Sequence, residues 1–94
     1  MGKATYKVEG GKLIKVQLLE RDGKIQEIKI TGDFFLHPED LIEDLEKALI
    51  GKPLKEQDLA ESIKSLMQKR EATLLGASPE DFAKCILMAG GKSG

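Results

Sequence analysis

A chain of 94 residues with 15 Lys and Arg, 16 Asp and Glu and a formal net charge of −1 supports one domain around one modest core. That balance, with an isoelectric point near 5.8, excludes a generally basic nucleic-acid-binding domain, and no apolar run of about 18 residues or signal-like N-terminus points to a membrane, so the chain reads as cytoplasmic. Cys85 is the only cysteine and His37 the only histidine, which excludes an intrachain disulfide and a multi-cysteine zinc site and weakens metal catalysis.

Ala4 to Glu9 reads as a first strand, with Tyr6 and Val8 on one face. Gly10-Gly11 predicts a tight hairpin, because the favoured turns need positive φ that glycine adopts without a Cβ clash. Lys12 to Glu20 follows as a second strand, placing Ile14, Val16 and Leu18 on one face and Leu13 and Leu19 opposite. Asp22-Gly23 is a strong short hairpin signal before a third strand, Ile25 to Thr31. Ile25 is out of phase with Ile28 and Ile30, which predicts a bulge or a strand start near Gln26.

The helical part begins at Pro38, whose fixed φ and missing N–H suit a first helical position. Leu41, Ile42, Leu45, Ala48 and Leu49 recur at helical spacing until Gly51 supplies a left-handed stop. A second helix is predicted from Glu56 to Arg70, with Leu59, Ala60, Ile63, Leu66 and Met67 on its stripe. Ser78 caps a third that turns Phe82, Ala83, Ile86 and Leu87 inward, and residues 90–94 read as a flexible tail. The fold class is therefore α+β: a three-stranded antiparallel meander followed by three helices packed on one face, in a single domain over residues 1–94.

Charge is uneven: residues 33–61 carry three basic and nine acidic side chains, against a net positive balance on either side. The functional reading of this acidic middle segment is docking on a basic partner; within it Glu39, Asp40, Glu43, Asp44 and Glu46 are expected to form a solvent face stabilised by a helix dipole rather than a metal site, since they lack turn-type ligand spacing. Asn is absent while Lys and Glu are plentiful, a bias shared with proteins from hot environments. Gly90-Gly91-Lys92-Ser93 is not a phosphate-binding loop, since Ile86 occupies the position of that motif's first glycine and no helix follows.

Half of the four aromatics, Phe34 and Phe35, lie side by side after Gly32-Asp33. Gly32-Asp33 is expected to turn the chain sharply out of the sheet, the carboxylate accepting nearby backbone N–H bonds; a catalytic acid or base would need a partner group that spacing does not supply. If strand geometry persists there, one Phe enters the core and the other faces out, and the sequence does not say which. Gly10-Gly11-Lys12 presents a turn and an ammonium that can meet an anion, or an ordinary hairpin with a solvated lysine. Cys85 is expected to pack as a small hydrophobe, and His37 to be a loop or helix-cap residue.

Ile30-Thr31-Gly32-Asp33-Phe34-Phe35, with Val8-Glu9-Gly10-Gly11-Lys12-Leu13-Ile14 upstream and Leu45-Glu46-Lys47-Ala48-Leu49-Ile50-Gly51 downstream, resembles the small C-terminal accessory domain of lipoate-protein ligases over most of residues 5–90. Such ligases use ATP to form lipoyl-AMP and then transfer the lipoyl group to a lysine of an acceptor domain. In some of them the accessory domain is a separate chain, needed for adenylate formation and much less for transfer. The resemblance implies a free-standing, non-catalytic accessory subunit of a ligase, inactive alone, that partners a catalytic subunit and indirectly serves lipoyl-acceptor domains. ATP, Mg and lipoate are implied for the complex, with none bound by this chain alone. It makes Gly10, Gly11, Lys12, Gly32, Asp33, Phe34 and Phe35 candidates for the partner interface or for closing the active site. Its fold is similar to that of sulfur-transfer and iron–sulfur scaffold proteins, so a sulfur acceptor or cluster scaffold is an alternative, against which a single cysteine argues. A plain protein-interaction module is the third reading.

Overall fold

The computed structural model describes residues 2–91. Strands β1 (Gly2–Lys7), β2 (Leu13–Arg21) and β3 (Lys24–Gly32) form the expected antiparallel meander, in the order β1-β2-β3. β1 stops short of Val8, whose N–H donates to the Lys12 carbonyl at 3.0 Å while its own carbonyl accepts from Gly11 at 2.9 Å. The connection is therefore a longer loop than a two-glycine hairpin, with Gly10 at φ 70° its left-handed residue. At the next turn Asp22 and Gly23 both have positive φ, 55° and 77°, as a two-residue hairpin loop demands. Leu19 faces Glu27 and Glu20 faces Ile25, leaving Gln26 unopposed. That bulge returns Ile25 to the apolar face, where it is buried with Ile14, Val16, Leu18 and Ile30.

A second, two-stranded sheet was not anticipated. β4 (Phe35–His37) pairs antiparallel with β5 (Thr73–Leu75), matching Phe35 with Leu75, Leu36 with Leu74 and His37 with Thr73. Three-residue strands are too short to show an alternation, and the two halves lie far apart in the chain.

The helices are α1 (Leu41–Leu49), α2 (Glu56–Lys69) and α3 (Pro79–Ala89). Pro38 does not open α1: it follows a cis peptide bond after His37, and its carbonyl accepts the Leu41 N–H in the turn that precedes the helix. His37 accordingly sits on β4 rather than in a loop or cap. Gly51 does leave α1 left-handed, at φ 85°, and its N–H donates to the Ile25 carbonyl at 2.7 Å. Ser78 caps α3 as expected: its hydroxyl accepts the Asp81 N–H, and the Asp81 carboxylate accepts the N–H of Ser78.

α3 lies across β1 and β2 and α1 against β3, whereas α2 packs on α3 and α1. The expectation of three helices on one sheet face is corrected in this respect. Three strands at a spacing of about 4.8 Å make a sheet too narrow to seat three helices, each about 10 Å across. Two further expectations change. Glu46 is no solvent-face residue, because its carboxylate accepts the Ile30 N–H of edge strand β3 at 2.7 Å. Asp44 and Asp40 hold the guanidinium of Arg70 at the end of α2, Asp40 at 3.7 Å. Gly90 is not a frayed residue either: it caps α3 where an added Cβ would fall against Leu54 and Leu18, while residues 92–94 of the expected tail lie outside the described residues.

One continuous core joins both sheets and all three helices. Phe82 is fully buried in it, and the half-buried ring of Phe34 meets Phe82 edge to face, 4.9 Å between centroids at 89°. Cys85 is 0% exposed, its Sγ 3.7 Å from the Ile14 carbonyl and 3.8 Å from that of Ala4, and burial pushes the thiol from 9.0 up to about 11. The sulfur-acceptor alternative needs an accessible thiolate, which this position does not offer.

Phe34→Ala is expected to destabilise the fold by about 3 kcal/mol, read as a drop in the urea midpoint, because it empties the space against Phe82. In the native protein Cys85 should resist a thiol reagent at pH 8 and react on unfolding; rapid native labelling would contradict its placement. Since its folded pKa is raised, its contribution to stability is intact below about pH 9 and is lost as pH rises toward about 11, where the unfolded chain ionises more readily. Cys85→Ala should remove that alkaline dependence and cost about 1 kcal/mol at neutral pH.

Candidate functional site

The candidate residues come from two separate segments that the fold brings to one end of the molecule. Asp33 grips the Leu13 peptide from both sides: its Oδ1 accepts the Leu13 N–H at 2.7 Å and its own N–H donates to the Leu13 carbonyl at 3.2 Å. One residue earlier, the Lys12 N–H donates to the Gly76 carbonyl at 2.8 Å. The Gly10-Gly11-Lys12 loop is thereby tied to the crossing at Gly32-Asp33 on one side and to the segment after β5 on the other. These contacts depend on missing side chains. A Cβ on Gly11 would press on the Gly76 carbonyl and Val8, one on Gly76 would meet the Lys12 side chain, and one on Gly32 would strike the Leu13 carbonyl and the Phe34 ring.

Gly32, at φ 154°, takes the chain out of β3, and the two phenylalanines then part. Phe34 turns inward to Phe82, as described above. Phe35 stands on the outer face of the β4–β5 ribbon, 53% exposed, directly opposite Leu75, 59% exposed. Directly paired residues share a face, so the two form one apolar patch. The ring of His37, two residues along, stacks parallel to Phe35 with centroids 6.5 Å apart. On the other face of the ribbon Leu36 is buried and Leu74 packs on the core, which holds the patch rigid.

Beside the patch runs an open groove of about 340 Å³, lined by Ile30, Phe34, Phe35, Leu36 and Ile42, with Glu39 its one ionisable lining residue. Asp33 is engaged in backbone binding, with no second carboxylate on it. Among the described residues no three His, Cys, Asp or Glu side chains gather to hold a metal ion, and no described helix is long and apolar enough to cross a membrane. The arrangement offers an exposed apolar pair on a ribbon backed by the core, a groove beside it and an ordered glycine loop whose Lys12 side chain lies over Gly76.

Leu75 and Gly76 escaped the sequence reading, which also placed His37 in a loop or cap and not beside Phe35. Leu74-Leu75-Gly76 carries an apolar pair before a glycine, which signals a strand end, but nothing local connects it to Phe35.

Residues 3–86 match the family model described as the bacterial lipoate protein ligase C-terminus. The chain is 34% identical over 86 residues to lipoate-protein ligase A subunit 2 of Thermoplasma acidophilum, a match covering 92% of this chain and 87% of that one. Among solved structures it is similar to a chain from an archaeal lipoylation system of Thermoplasma acidophilum, described as a bi-partite lipoate protein ligase and its E2 lipoyl domain. The TM-score is 0.77 at 31% identity, over 89% of this chain and 91% of the other. With the glycine crossing, the paired phenylalanines and the match running through nearly every element, the chain belongs to the lipoate protein ligase C-terminal family.

Proposed function

We propose that this chain is the accessory subunit of a two-chain lipoate-protein ligase, acting with a catalytic subunit in the ATP-dependent activation of lipoate to lipoyl-AMP. The observation that carries the reading is the exposed Phe35–Leu75 pair on a ribbon whose reverse side is locked into the core. Two large apolar side chains on a rigid support are what an interface anchor requires. The likeness to one component of a bi-partite ligase supplies the partner.

The groove beside Phe35, with one carboxylate and no cation in its lining, offers no counter-charge to a nucleotide triphosphate. In this reading ATP and lipoate belong to the catalytic subunit, as the family resemblance implies. The accessory chain acts by docking Phe35 and Leu75, so that the glycine loop and Lys12 at the same end lie against the partner and order the segments that close over its substrates. This is catalysis by positioning: water is excluded and reacting groups are held, without a supplied acid, base or nucleophile.

Alone, the chain is expected to give no lipoate-dependent ATP–pyrophosphate exchange. Mixed with its catalytic subunit it should co-elute on size exclusion and switch that exchange on; exchange by the pure chain, or no change on mixing, would sink the reading. Phe35→Ala should keep its circular dichroism and melting point, unlike Phe34→Ala, and weaken the heteromer by about 2 kcal/mol, near 30-fold in Kd. Lipoate activation should fall with it, while transfer from supplied lipoyl-AMP at saturating acceptor continues. Equal loss of both half-reactions in the folded variant would contradict the assignment of Phe35 to activation.

A further inference from the structure

The meander has a second face, free of helices, and its chemistry differs from that of the rest of the molecule. Alternation puts Lys3, Lys7, Lys15, Arg21, Lys24 and Lys29 on it, with Glu27 as the one carboxylate on that face of the strands. In the register Lys3, Gln17 and Lys29 form one row, and Thr5, Lys15 and Thr31 the next. Six cations against one anion give this face a formal charge of +5 in a chain whose total is −1, so all remaining side chains together carry −6. None of the six cations is in an ion pair among the described residues. Within the sheet Lys3, Lys7, Lys15 and Lys29 stand opposite neutral Gln17, Leu13, Thr5 and Thr31, and Arg21 stands opposite Lys24, so no cross-strand carboxylate neutralises the cluster.

We infer that this helix-free face is an electrostatic docking surface for an acidic protein domain, the lipoyl acceptor, which it recruits to the ligase. The inference rests on the proposed function and extends it to a second partner. The apolar side chains on this face, Leu13 and Leu19, are only partly exposed and no aromatic joins them, and a lysine-coated surface of this kind is a poor permanent interface, whose core is depleted of lysine and built on aromatic anchors. The permanent subunit contact belongs to Phe35 and Leu75. A substrate protein that must arrive and leave in each turnover is served by charge, which raises the association rate without a slow release. A nucleic acid is disfavoured because the face carries no aromatic side chain and the −6 elsewhere repels a long polyanion.

The test is the charge-reversed Lys3→Glu/Lys15→Glu/Lys29→Glu chain in the heteromer, with the lipoyl domain of the same organism as acceptor. The KM for acceptor should rise about tenfold at low ionic strength and lose most of its salt dependence, while kcat, ATP–pyrophosphate exchange and co-elution with the catalytic subunit stay as in the wild type. An unchanged KM and salt slope overturns the inference. So does a weakened heteromer, which would assign the face to the subunit contact. If the triple reversal fails to fold, Lys3→Gln/Lys15→Gln/Lys29→Gln, which removes charge without reversing it, takes its place with the same expectations at smaller amplitude. A binding measurement independent of activity separates this inference from the function it rests on. Titrating unlabelled acceptor domain into the isotope-labelled full chain should shift the amides of Lys3, Lys15, Gln17 and Lys29 and spare Phe35 and Leu75. Shifts confined to the ribbon, shifts produced equally by duplex DNA, or shifts that follow the concentration of this chain alone would each overturn it. Activation that fails in the wild-type heteromer, with the sheet-face shifts intact, would instead count against the proposed function alone.

Discussion

The manner in which the backbone leaves β3 constrains everything that follows it, because the space at Gly32 is already filled by the Leu13 carbonyl and the Phe34 ring. A residue with a Cβ cannot take this path without moving one of them. Once through, Asp33 fastens the chain to the Leu13 peptide with two hydrogen bonds. The crossing is thereby fixed relative to the central strand of the sheet. The direction of Phe34 and Phe35, the position of β4 and the approach of α1 to β3 all depend on that fixed departure.

The two phenylalanines show how one local geometry buries one ring and presents the next. Phe34 packs against Phe82 of α3 and so joins the sheet exit to the last helix. Phe35 is presented outward because its neighbour is held inward. An interface side chain is effective when little freedom is lost on binding, and the ribbon limits that freedom through Leu36 and Leu74 beneath it. The loop at Gly10-Gly11-Lys12 is ordered by the same logic, through its bond to Gly76.

Charge in this molecule is sorted by surface. The acidic middle segment is partly engaged within the chain: Glu46 satisfies an edge N–H of β3, and Asp40 and Asp44 meet Arg70 at the end of α2 on the surface. Glu46 also helps to close β3, an edge that would otherwise be open to pairing with another chain. The basic side chains of the first third collect on the sheet face that no helix covers. A near-neutral net charge thus conceals two surfaces of opposite character, and only the folded register reveals it.

The sequence alone determined the elements whose signals are local. The meander, the Asp22-Gly23 turn, an irregularity near Gln26, the left-handed Gly51, the Ser78 cap and the helical stripes each follow from periodicity or from one residue's allowed backbone angles. Its Gly-Asp-Phe-Phe stretch carried the resemblance to the family, whereas the divergence of Phe34 and Phe35 was expected only if strand geometry persisted, and β3 ends at Gly32. Tertiary structure decided which phenylalanine is buried, because that depends on Phe82, remote in the chain. It also decided that Thr73-Leu74-Leu75 pairs with Phe35-Leu36-His37, that α1 begins at Leu41 and not at Pro38, and that α2 rests on helices instead of the sheet. Pattern reading sees interactions within a turn or two of the chain, whereas these outcomes were settled by which distant surfaces bury each other best. Lys3, Lys15 and Lys29 are scattered in the sequence, and strand register alone makes them neighbours.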